Sequence, residues 1–572
     1  MAEAAAQTKK SAWRALGLAL TNRKTGFMLL FGFAAGLPYA LVLGTLYAWL
    51  SDSGGIDLET MGVFSLIGLA YAFKFLWSPA LDRVDVPVLR RLGKRKQWIV
   101  TAQLLIGAAL VSLSLIAPSN ETIGVFSLLA GLAAFASATQ DVVIDAWRVD
   151  VADDVATIDL LSTVYQMGYR IAALVGGALA LFLAERAGWP NVFLIMGAVM
   201  LVVGFIGLWA PYADAAAVEI AVDQDDPYGL RQPGQISPKL RVYALVAVGL
   251  LWGWALVTVG IFMVQSLSSN PETRPDSVEF ISTMGPLVVI ATVVLPSLIA
   301  AWLVRQQTRG ASLLTQAAPA TSGTDRAMDH LYRALILPLT DLIGRLGWAM
   351  IIVIALVLTY RITDAIWGSF AYPFYLGELE YTKDEVAIAS KFFGVGALLL
   401  GLALGGYLLT AIGRMLTLTL GAFFAAATNL LYADLARGGA TMETVSNATG
   451  FTWLVSHLGG DARLAKLMMA IAGENIAVGV AGAAFVAYLS SIVSKGYSAV
   501  QYALLSSLTL LVGTLGRGAL GQMIEERGYF DVFILTTAIG MFAVVLCIIE
   551  WVRQVRLGRA SGVVAPEATP AE

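Results

Sequence analysis

Four polar side chains recur at helical spacing in the segment S-A-T-Q-D-V-V-I-D-A-W-R-V-D at 137–150. Ser137, Asp141 and Asp145 are four residues apart and Arg148 follows three residues later, so a helix places all four on one face. That face is too polar for lipid, so it must look towards the interior of a helix bundle or a water-filled cavity. Two carboxylates one turn apart repel each other, which favours a proton on one of them and predicts a proton carrier.

A gate is the second interpretation of the same residues. Lys74 lies in an earlier apolar segment, at the same predicted membrane depth as this face. Together with Asp141, Asp145 and Arg148 it could form an ionic network that locks one conformation of the protein. Proton carrier and gate both remain open, and the two roles can overlap.

Further ionisable residues interrupt the apolar segments of the C-terminal part. Arg361 and Asp364 are three residues apart and could neutralise each other. Lys391 then needs a partner, and Glu474 is the obvious one. Protonation of one of these acids would release its lysine, which would couple protons to gating. Alternatively, Glu474 and Asn475 form a polar contact between helices.

Arg170 lies deep in an apolar segment, and no acid on its own helix is spaced to pair with it. Its partner is therefore an anionic group of a substrate or an acid from another helix. Tyr165 and Trp367 accompany these charges and could stack on a sugar ring. Most aromatic residues in membranes instead serve packing or anchor the interface.

The elements that position these residues follow from the composition. The chain has 572 residues, of which 58% are hydrophobic and 13% charged, and its mean hydropathy is +0.75. These values predict an all-α polytopic membrane protein and exclude soluble enzymes, nucleic-acid binders and secreted scaffolds. A single cysteine and two histidines leave no cluster for a metal, so we expect no metal and no cofactor.

Fourteen apolar windows are long enough to cross a bilayer. An even number of spans puts both termini on the same side of the membrane. Lys and Arg concentrate in the loops on that side, which predicts that both termini are cytoplasmic. The windows are 26–50, 57–80, 97–117, 122–147, 159–184, 190–211, 241–266, 280–304, 346–371, 384–410, 414–435, 465–493, 498–524 and 530–552.

The windows group as six, two and six. A faint repeat at an offset of 340 residues, with Gly188 and Gly528 in equivalent positions, predicts two pseudo-symmetric halves of the major facilitator type. The predicted organisation is a cytoplasmic N-terminal arm, an N-terminal six-helix bundle, a linker with two extra transmembrane helices, a C-terminal six-helix bundle and a disordered cytoplasmic tail, at 1–24, 25–211, 212–330, 331–555 and 556–572.

Several motifs together resemble the AmpG-type muropeptide permeases of the major facilitator superfamily. They are G-F-A-A-G-L-P-Y-A-L at 32–41, Y-A-F-K-F-L-W-S-P-A-L-D-R at 71–83, the segment at 137–150, G-Y-R at 168–170, L-Y-R-A-L-I-L-P-L-T-D-L-I-G-R from Leu331, Y-R-I-T-D-A at 360–365 and S-A-V-Q-Y-A-L-L-S-S-L at 498–508. The likeness covers roughly 26–211 and 331–550, which is most of the chain.

The resemblance implies proton-driven import of N-acetylglucosaminyl-1,6-anhydro-N-acetylmuramic acid, with or without peptide, across the inner membrane of a Gram-negative bacterium. It places the protein in peptidoglycan recycling and links it to β-lactam resistance. By motif position it carries over six residues, and Glu474-Asn475 also matches its pattern. The six are Lys74, Gln140, Asp141, Asp145, Arg170 and Asp364.

Three other functions stay open at this point. The nearest is transport of another bulky anion such as acetyl-coenzyme A, since a fold does not determine its substrate. A membrane-embedded enzyme and a non-transporting sensor are the others, although no Ser/His/Asp set or nucleotide loop occurs among the spans. The expected partners are a small-molecule substrate, protons and the lipid bilayer, with no nucleic acid, and the expected state is a monomer.

Overall fold

The computed structural model describes residues 21–53, 69–119, 121–212, 238–268, 277–308, 332, 334–361, 370–371 and 373–556, and these residues are almost entirely helical. Ten of their helices are long and apolar enough to cross a membrane, or eleven if a bent pair counts as one span. Parts of the predicted second and ninth spans, 57–80 and 346–371, lie outside the described residues. The all-helical fold is therefore confirmed, whereas the division into six, two and six helices stays a prediction.

The N-terminal half contains nine helices in the described residues, several of them pieces of one span. They are α1 (Arg23–Ala40), α2 (Leu46–Asp52), α3 (Leu69–Ala72), α4 (Ser78–Arg83), α5 (Lys94–Leu115), α6 (Ile123–Val151), α7 (Ile158–Leu174), α8 (Ala180–Ala187) and α9 (Trp189–Gly207). The two extra spans follow as α10 (Pro238–Ser268), α11 (Ser277–Val289) and α12 (Leu295–Thr308).

The C-terminal half contains a further nine helices in its described part. They are α13 (Leu337–Leu346), α14 (Ala349–Thr359), α15 (Lys383–Ala387), α16 (Gly394–Ala411), α17 (Arg414–Ala436), α18 (Ala440–Ala448), α19 (Phe451–His457), α20 (Ala462–Ile492) and α21 (Ser498–Arg556). Helices α13 and α14 meet at an angle of 104°, where Gly347 interrupts the chain with a positive φ.

Four glycines begin equivalent helices in the two halves. Gly93 before α5 has φ 77° and ψ 163°, and Gly413 before α17 has φ 83° and ψ 166°. Gly188 before α9 has φ 81° and ψ 152°, and Gly528 within the kink of α21 has φ 79° and ψ 168°. Residues with a Cβ rarely adopt this conformation. The matched turns confirm the internal repeat that Gly188 and Gly528 predict.

Small residues let the helices of each half approach closely. In the N-terminal half, a Cβ added to Gly36 of α1 would lie 2.5 Å from the Tyr169 carbonyl oxygen of α7. In the C-terminal half, a Cβ on Gly479 of α20 would lie 2.6 Å from the Leu402 nitrogen of α16. Gly401 meets α20 just as closely, so the small-residue spacing of these helices serves packing.

The extra helices contact both halves. Trp252 of α10 donates a hydrogen bond to the Thr292 carbonyl oxygen (3.1 Å), which joins α10 to the turn between α11 and α12. The Trp252 ring also meets Phe75 of the N-terminal half edge to face, with 6.3 Å between centroids. Helix α12 packs against α13 of the C-terminal half. The pair therefore lies beside the junction of the two halves.

Candidate functional site

Lys74 lies in a short 3₁₀ turn, Lys74–Leu76, that interrupts the helical path between α3 and α4. The break brings its buried ammonium group towards α6, where Nζ lies 4.0 Å from the Asp145 carboxylate. Asp145 also pairs with Arg148 one turn later, at 3.0 Å. With Asp141 one turn earlier on the same face, these residues form a buried group that we call the central cluster: Lys74, Asp141, Asp145 and Arg148.

Arg148 links the central cluster to the other half of the protein. Its side chain is 0% exposed, and its Nε donates a hydrogen bond to Ser490 Oγ of α20 (3.1 Å). The guanidinium group lies 4.9 Å from the ring centroid of Tyr165 and 5.0 Å from that of Tyr502. Cation–π contacts in a desolvated site are worth about 2 kcal/mol each. Arg148 thus joins the two halves through contacts with α20 and α21.

Of the two carboxylates in the central cluster, Asp141 is the less satisfied. Its side chain is buried, and its Oδ1 has no hydrogen-bond partner among the described residues. Lys74 attracts its charge, whereas Asp145 repels it. An ionised carboxylate without hydrogen bonds is costly to bury, and a proton removes most of that cost. This geometry is compatible with the predicted role of Asp141 as a proton carrier, which stays a prediction.

Four tyrosines of the N-terminal half form a cluster of rings near Asp141, which we call the tyrosine cage: Tyr39, Tyr71, Tyr165 and Tyr169. The Tyr39 ring meets the Tyr71 ring edge to face at 5.1 Å and lies 5.9 Å from Tyr169. The charge of Asp141 acts on the hydroxyls of Tyr71, Tyr165 and Tyr169. Tyr39 is 38% exposed, so the cage is open on one side. Tyrosines in such a cage can stack on sugar rings and donate hydrogen bonds to their hydroxyls.

A second ionic network lies one to two turns further along α6, beyond Asp145 of the central cluster. Arg95 pairs with Asp82 at 2.6 Å and with Asp150 at 2.7 Å, and its Nη2 donates a hydrogen bond to Ser498 Oγ (3.0 Å). Ser498, the first residue of α21, donates to Asp150 (3.0 Å), and the Val500 N–H donates to Asp82 (3.3 Å). We call Asp82, Arg95, Asp150 and Ser498 the latch.

The latch exploits the N-terminus of a helix. Two carboxylates of the N-terminal half face the first turn of α21, where unpaired N–H groups and the helix dipole favour negative charge. An ion pair between the halves, Asp159 to Arg414 at 2.7 Å, lies at the same end. The two halves are therefore closed against each other at this end of the bundle, which we call the latch end.

The loop after α6 joins the start of α1 to the latch end. Asp153 accepts hydrogen bonds from Lys24 Nζ (2.6 Å) and from the N–H groups of Val155 (2.9 Å) and Ala156 (2.6 Å). Partial burial raises the pKa of Asp153, but these hydrogen bonds outweigh it and hold the pKa below the usual value. Asp153 is ionised at neutral pH and stabilises this loop.

The remaining predicted site residues are spread over both halves. Gln140 is fully buried and donates to the Ala34 carbonyl oxygen (2.7 Å), which ties α6 to α1. Arg170 is half-buried beside Tyr169. Arg361 is half-buried, with Nη1 4.0 Å from the position of a Cβ on Gly482.

Three predicted site residues lie wholly or partly outside the described residues. Asp364, Trp367 and the side chain of Lys391 lie outside the described part of the structure, so the proposed pairs Arg361–Asp364 and Lys391–Glu474 stay predictions. Asn475, which is described, donates to the Ile471 carbonyl oxygen of its own helix (2.8 Å). Among the described residues, no group of three or more His, Cys, Asp or Glu side chains could hold a metal.

Several residues of the site escape sequence reasoning. Ser490, Ser498 and Tyr502 contribute to closure. Ser498 and Tyr502 lie in the motif at 498–508, but neither that motif nor the sequence around Ser490 indicates a contact with the other half. Asp82 lies in the motif at 71–83 and Asp150 ends the segment at 137–150, but neither pattern indicates that Arg95 joins them. Tyr39 and Tyr71 lie in the motifs at 32–41 and 71–83, which do not indicate that their rings meet.

Comparisons with known proteins show the family of this chain. The family model described as Major Facilitator Superfamily matches residues 26–452. The anhydromuropeptide permease of Escherichia coli (strain K12) is 26% identical over 530 residues, which are 92% of this chain and 79% of that protein. The putative transporter AmpG 4 of Rickettsia felis is 25% identical over 516 residues, which are 90% of this chain and 93% of that protein.

Solved structures show the same fold at much lower identity. The human organic anion transporter MFSD10 matches with a TM-score of 0.52 and 11% identity, over 92% of this chain and 99% of that one. The proton:xylose symporter XylE matches with a TM-score of 0.50 and 11% identity, over 94% of this chain and 95% of that one. At such identities the likeness concerns the fold alone.

Proposed function

We propose, from the premise that this chain belongs to the major facilitator superfamily, that it imports anhydro-muropeptides by proton symport. Relatives over most of its length include an anhydromuropeptide permease, which supports this substrate class. The observation that carries the coupling is the position of Asp141, a buried acid beside Lys74 in a cluster that reaches across to the other half. The protein is a transporter and not an enzyme.

Alternating access is the second part of the proposal. The latch, the Arg148 contacts and the Asp159–Arg414 pair all join the two halves at one end. Transporters with two repeated halves work by rocking one half against the other around a fixed site. Opening the latch end would break these contacts and expose the central cluster, while contacts at the opposite end form.

The orientation of the protein follows from its charges. Basic residues accumulate between α4 and the first turn of α5 at the latch end, for example Arg90, Arg91 and Lys94. The positive-inside rule puts such loops in the cytoplasm. We therefore expect the latch end and both termini to be cytoplasmic, with substrate entering from the periplasm across the inner membrane of a Gram-negative bacterium.

A proton on Asp141 changes the charge of the central cluster. With Asp141 ionised, the two cations and two carboxylates of the cluster sum to zero, and with Asp141 protonated they sum to +1. Lys74 and Arg148 then share Asp145 alone, and Arg148 is the member that contacts Ser490 and Tyr502. Because charges interact strongly in a buried site, proton binding alters the stability of closure.

Substrate recognition would use groups that lie farther from the latch end than the central cluster does. Muramic acid or its peptide carries a carboxylate, which suits the half-buried cations Arg170 and Arg361. The sugar rings suit the partly open cage of Tyr39, Tyr71 and Tyr169. Gln140, Tyr165, Trp367 and Asn475 complete the set of proposed binding residues, and Asp364, Lys391 and Glu474 that of proposed coupling residues. We expect the protein to act as a monomer.

Uptake into proteoliposomes tests this proposal. Labelled GlcNAc-anhydromuramyl tripeptide should accumulate in vesicles with an inwardly directed pH gradient, and the Asp141→Asn variant should lose that accumulation. Asp153→Asn is the matched control, because it removes a carboxylate at the same end without touching the central cluster, and it should retain uptake. Absence of uptake by folded, oriented wild-type protein would reject muropeptide import and direct the search to other bulky anions such as acetyl-coenzyme A.

A further inference from the structure

A row of three hydrogen-bonded oxygen atoms lies in the C-terminal half, far from the latch. Tyr432 of α17 donates a hydrogen bond to Glu474 Oε2 of α20. The hydroxyl oxygens of Tyr432 and Tyr375 lie 3.0 Å apart, and Tyr375 belongs to the turn Pro373–Glu378 before α15. Three separate elements thus contribute one oxygen each to a continuous row that ends on a carboxylate.

This row lies towards the end of the bundle opposite the latch end. Tyr432 comes 18 residues after Arg414 on α17, or about 27 Å along the helix. Glu474 comes 16 residues before Ser490 on α20, or about 24 Å. Arg414 and Ser490 both make contacts at the latch end. Under the proposed orientation, the row lies on the periplasmic side, from which protons enter.

Aromatic rings enclose the row. The Phe533 ring stacks on Tyr432 with 5.5 Å between centroids, and Phe374 meets Tyr432 edge to face at 6.2 Å. Tyr432 and Phe374 are both 0% exposed, and Tyr375 is also buried. Rings around the hydroxyls keep out bulk water, so a proton that moves along this row passes between its oxygens.

We infer that Tyr375 and Tyr432 relay protons between the periplasmic side and Glu474. A hydroxyl both donates and accepts, so each can take a proton on one side and release its own on the other. An incoming proton binds the Tyr375 oxygen, the proton of Tyr375 passes to Tyr432, and that of Tyr432 passes to Glu474. Each tyrosine ends neutral as it began, and the carboxylate becomes a carboxylic acid.

The inference rests on the proposed proton symport and adds two residues to it. A purely structural role is the competing explanation, because the half-buried Glu474 carboxylate and two buried hydroxyls stabilise each other by hydrogen bonding. The two roles differ in which transport mode they affect. Net uptake requires Glu474 to bind and release protons, whereas exchange of labelled for unlabelled substrate across the membrane at equal pH proceeds without proton release.

Two variants and a matched control separate the roles. Tyr432→Phe and Tyr375→Phe remove only the hydroxyls and retain the rings. Tyr381→Phe is the control: its hydroxyl lies on the same side of the protein but donates to the Arg463 carbonyl oxygen, outside the row. Gradient-driven uptake and equal-pH exchange of GlcNAc-anhydromuramyl tripeptide are measured in the same vesicles, next to Glu474→Gln.

We expect Tyr432→Phe and Glu474→Gln to lower gradient-driven uptake at least about tenfold while exchange stays within about twofold of wild type. Tyr375→Phe should show the same split, and Tyr381→Phe should match wild type in both modes. Wild-type-like gradient-driven uptake in Tyr432→Phe would overturn the relay, and so would an equal loss of both modes. Failure of the proposed symport itself looks different, since wild-type protein would then ignore the pH gradient.

Discussion

Gly406 allows the two halves to meet at the latch end. It lies on α16, and a Cβ added to it would be 2.6 Å from Thr163 Cγ2 and 3.2 Å from Thr163 Oγ1 on α7. Carbon atoms prefer separations of about 3.5–4.0 Å, so the Gly406→Ala variant must move the helices apart by about 1 Å. Thr163 cannot easily turn away, because it is buried and its Oγ1 donates to the Asp159 carbonyl oxygen (3.0 Å).

The size of the effect follows from this overlap. Extra methyl groups in a tightly packed interface cost about 1–3 kcal/mol. The cost falls only on the state in which α16 and α7 touch, so the equilibrium shifts away from closure at the latch end. A shift of that size corresponds to a change of about 5- to 160-fold in the ratio of closed to open protein.

Distances between spin labels measure this shift. Asp154 and Ala411 are exposed at the latch end, one on each half, and substitution by cysteine provides labelling sites. The native Cys547 is fully buried and should resist labelling. Gly396→Ala on the same helix is the control, because its Cβ would meet nothing within 4 Å. We expect longer distances in Gly406→Ala alone. Equal distributions in Gly406→Ala, Gly396→Ala and wild type would refute the argument.

Three further predictions concern the charges at the latch end. Arg95→Gln leaves two buried carboxylates without their cation, which destabilises the closed state by about 3–5 kcal/mol. The distance between the labels at positions 154 and 411 should therefore increase. Arg414→Gln breaks a partly exposed pair worth at most about 1 kcal/mol, so a change in distance as large as that of Arg95→Gln would contradict this ranking. Asp153 has a lowered pKa, so its contact with Lys24 stabilises the fold above about pH 4 and is lost as the pH falls further. The melting temperatures of wild type and Asp153→Asn should therefore converge in acid. A difference in melting temperature that persists at low pH would contradict the stabilising role of the ionised Asp153.

Much of the fold follows from short-range patterns. Hydropathy predicts most of the spans, because a helix in lipid must satisfy its backbone internally and be apolar along its length. The repeat of Gly188 and Gly528 predicts the two related halves, and matching backbone angles at these glycines confirm it. Helical spacing also places Asp141, Asp145 and Arg148 on one buried face, as the structure shows.

Breaks within a helical span are harder to predict, and so are contacts between residues that are distant in the sequence. A hydropathy window averages over about 20 residues, so it passes over the 3₁₀ turn at Lys74 that directs this side chain to Asp145. The contact of Arg95 with Ser498 joins residues more than 400 positions apart. Such pairs depend on how the two halves dock, which no local pattern records.

Proton movement during muropeptide entry tests the central claim most directly. A pH-sensitive dye trapped in proteoliposomes, with no initial pH gradient, reports protons that enter when GlcNAc-anhydromuramyl tripeptide is added outside. Symport predicts acidification of the interior that follows the entry of labelled substrate and disappears in Asp141→Asn. Entry of the muropeptide without acidification, or acidification that is unchanged in Asp141→Asn, would contradict the role given to this buried acid.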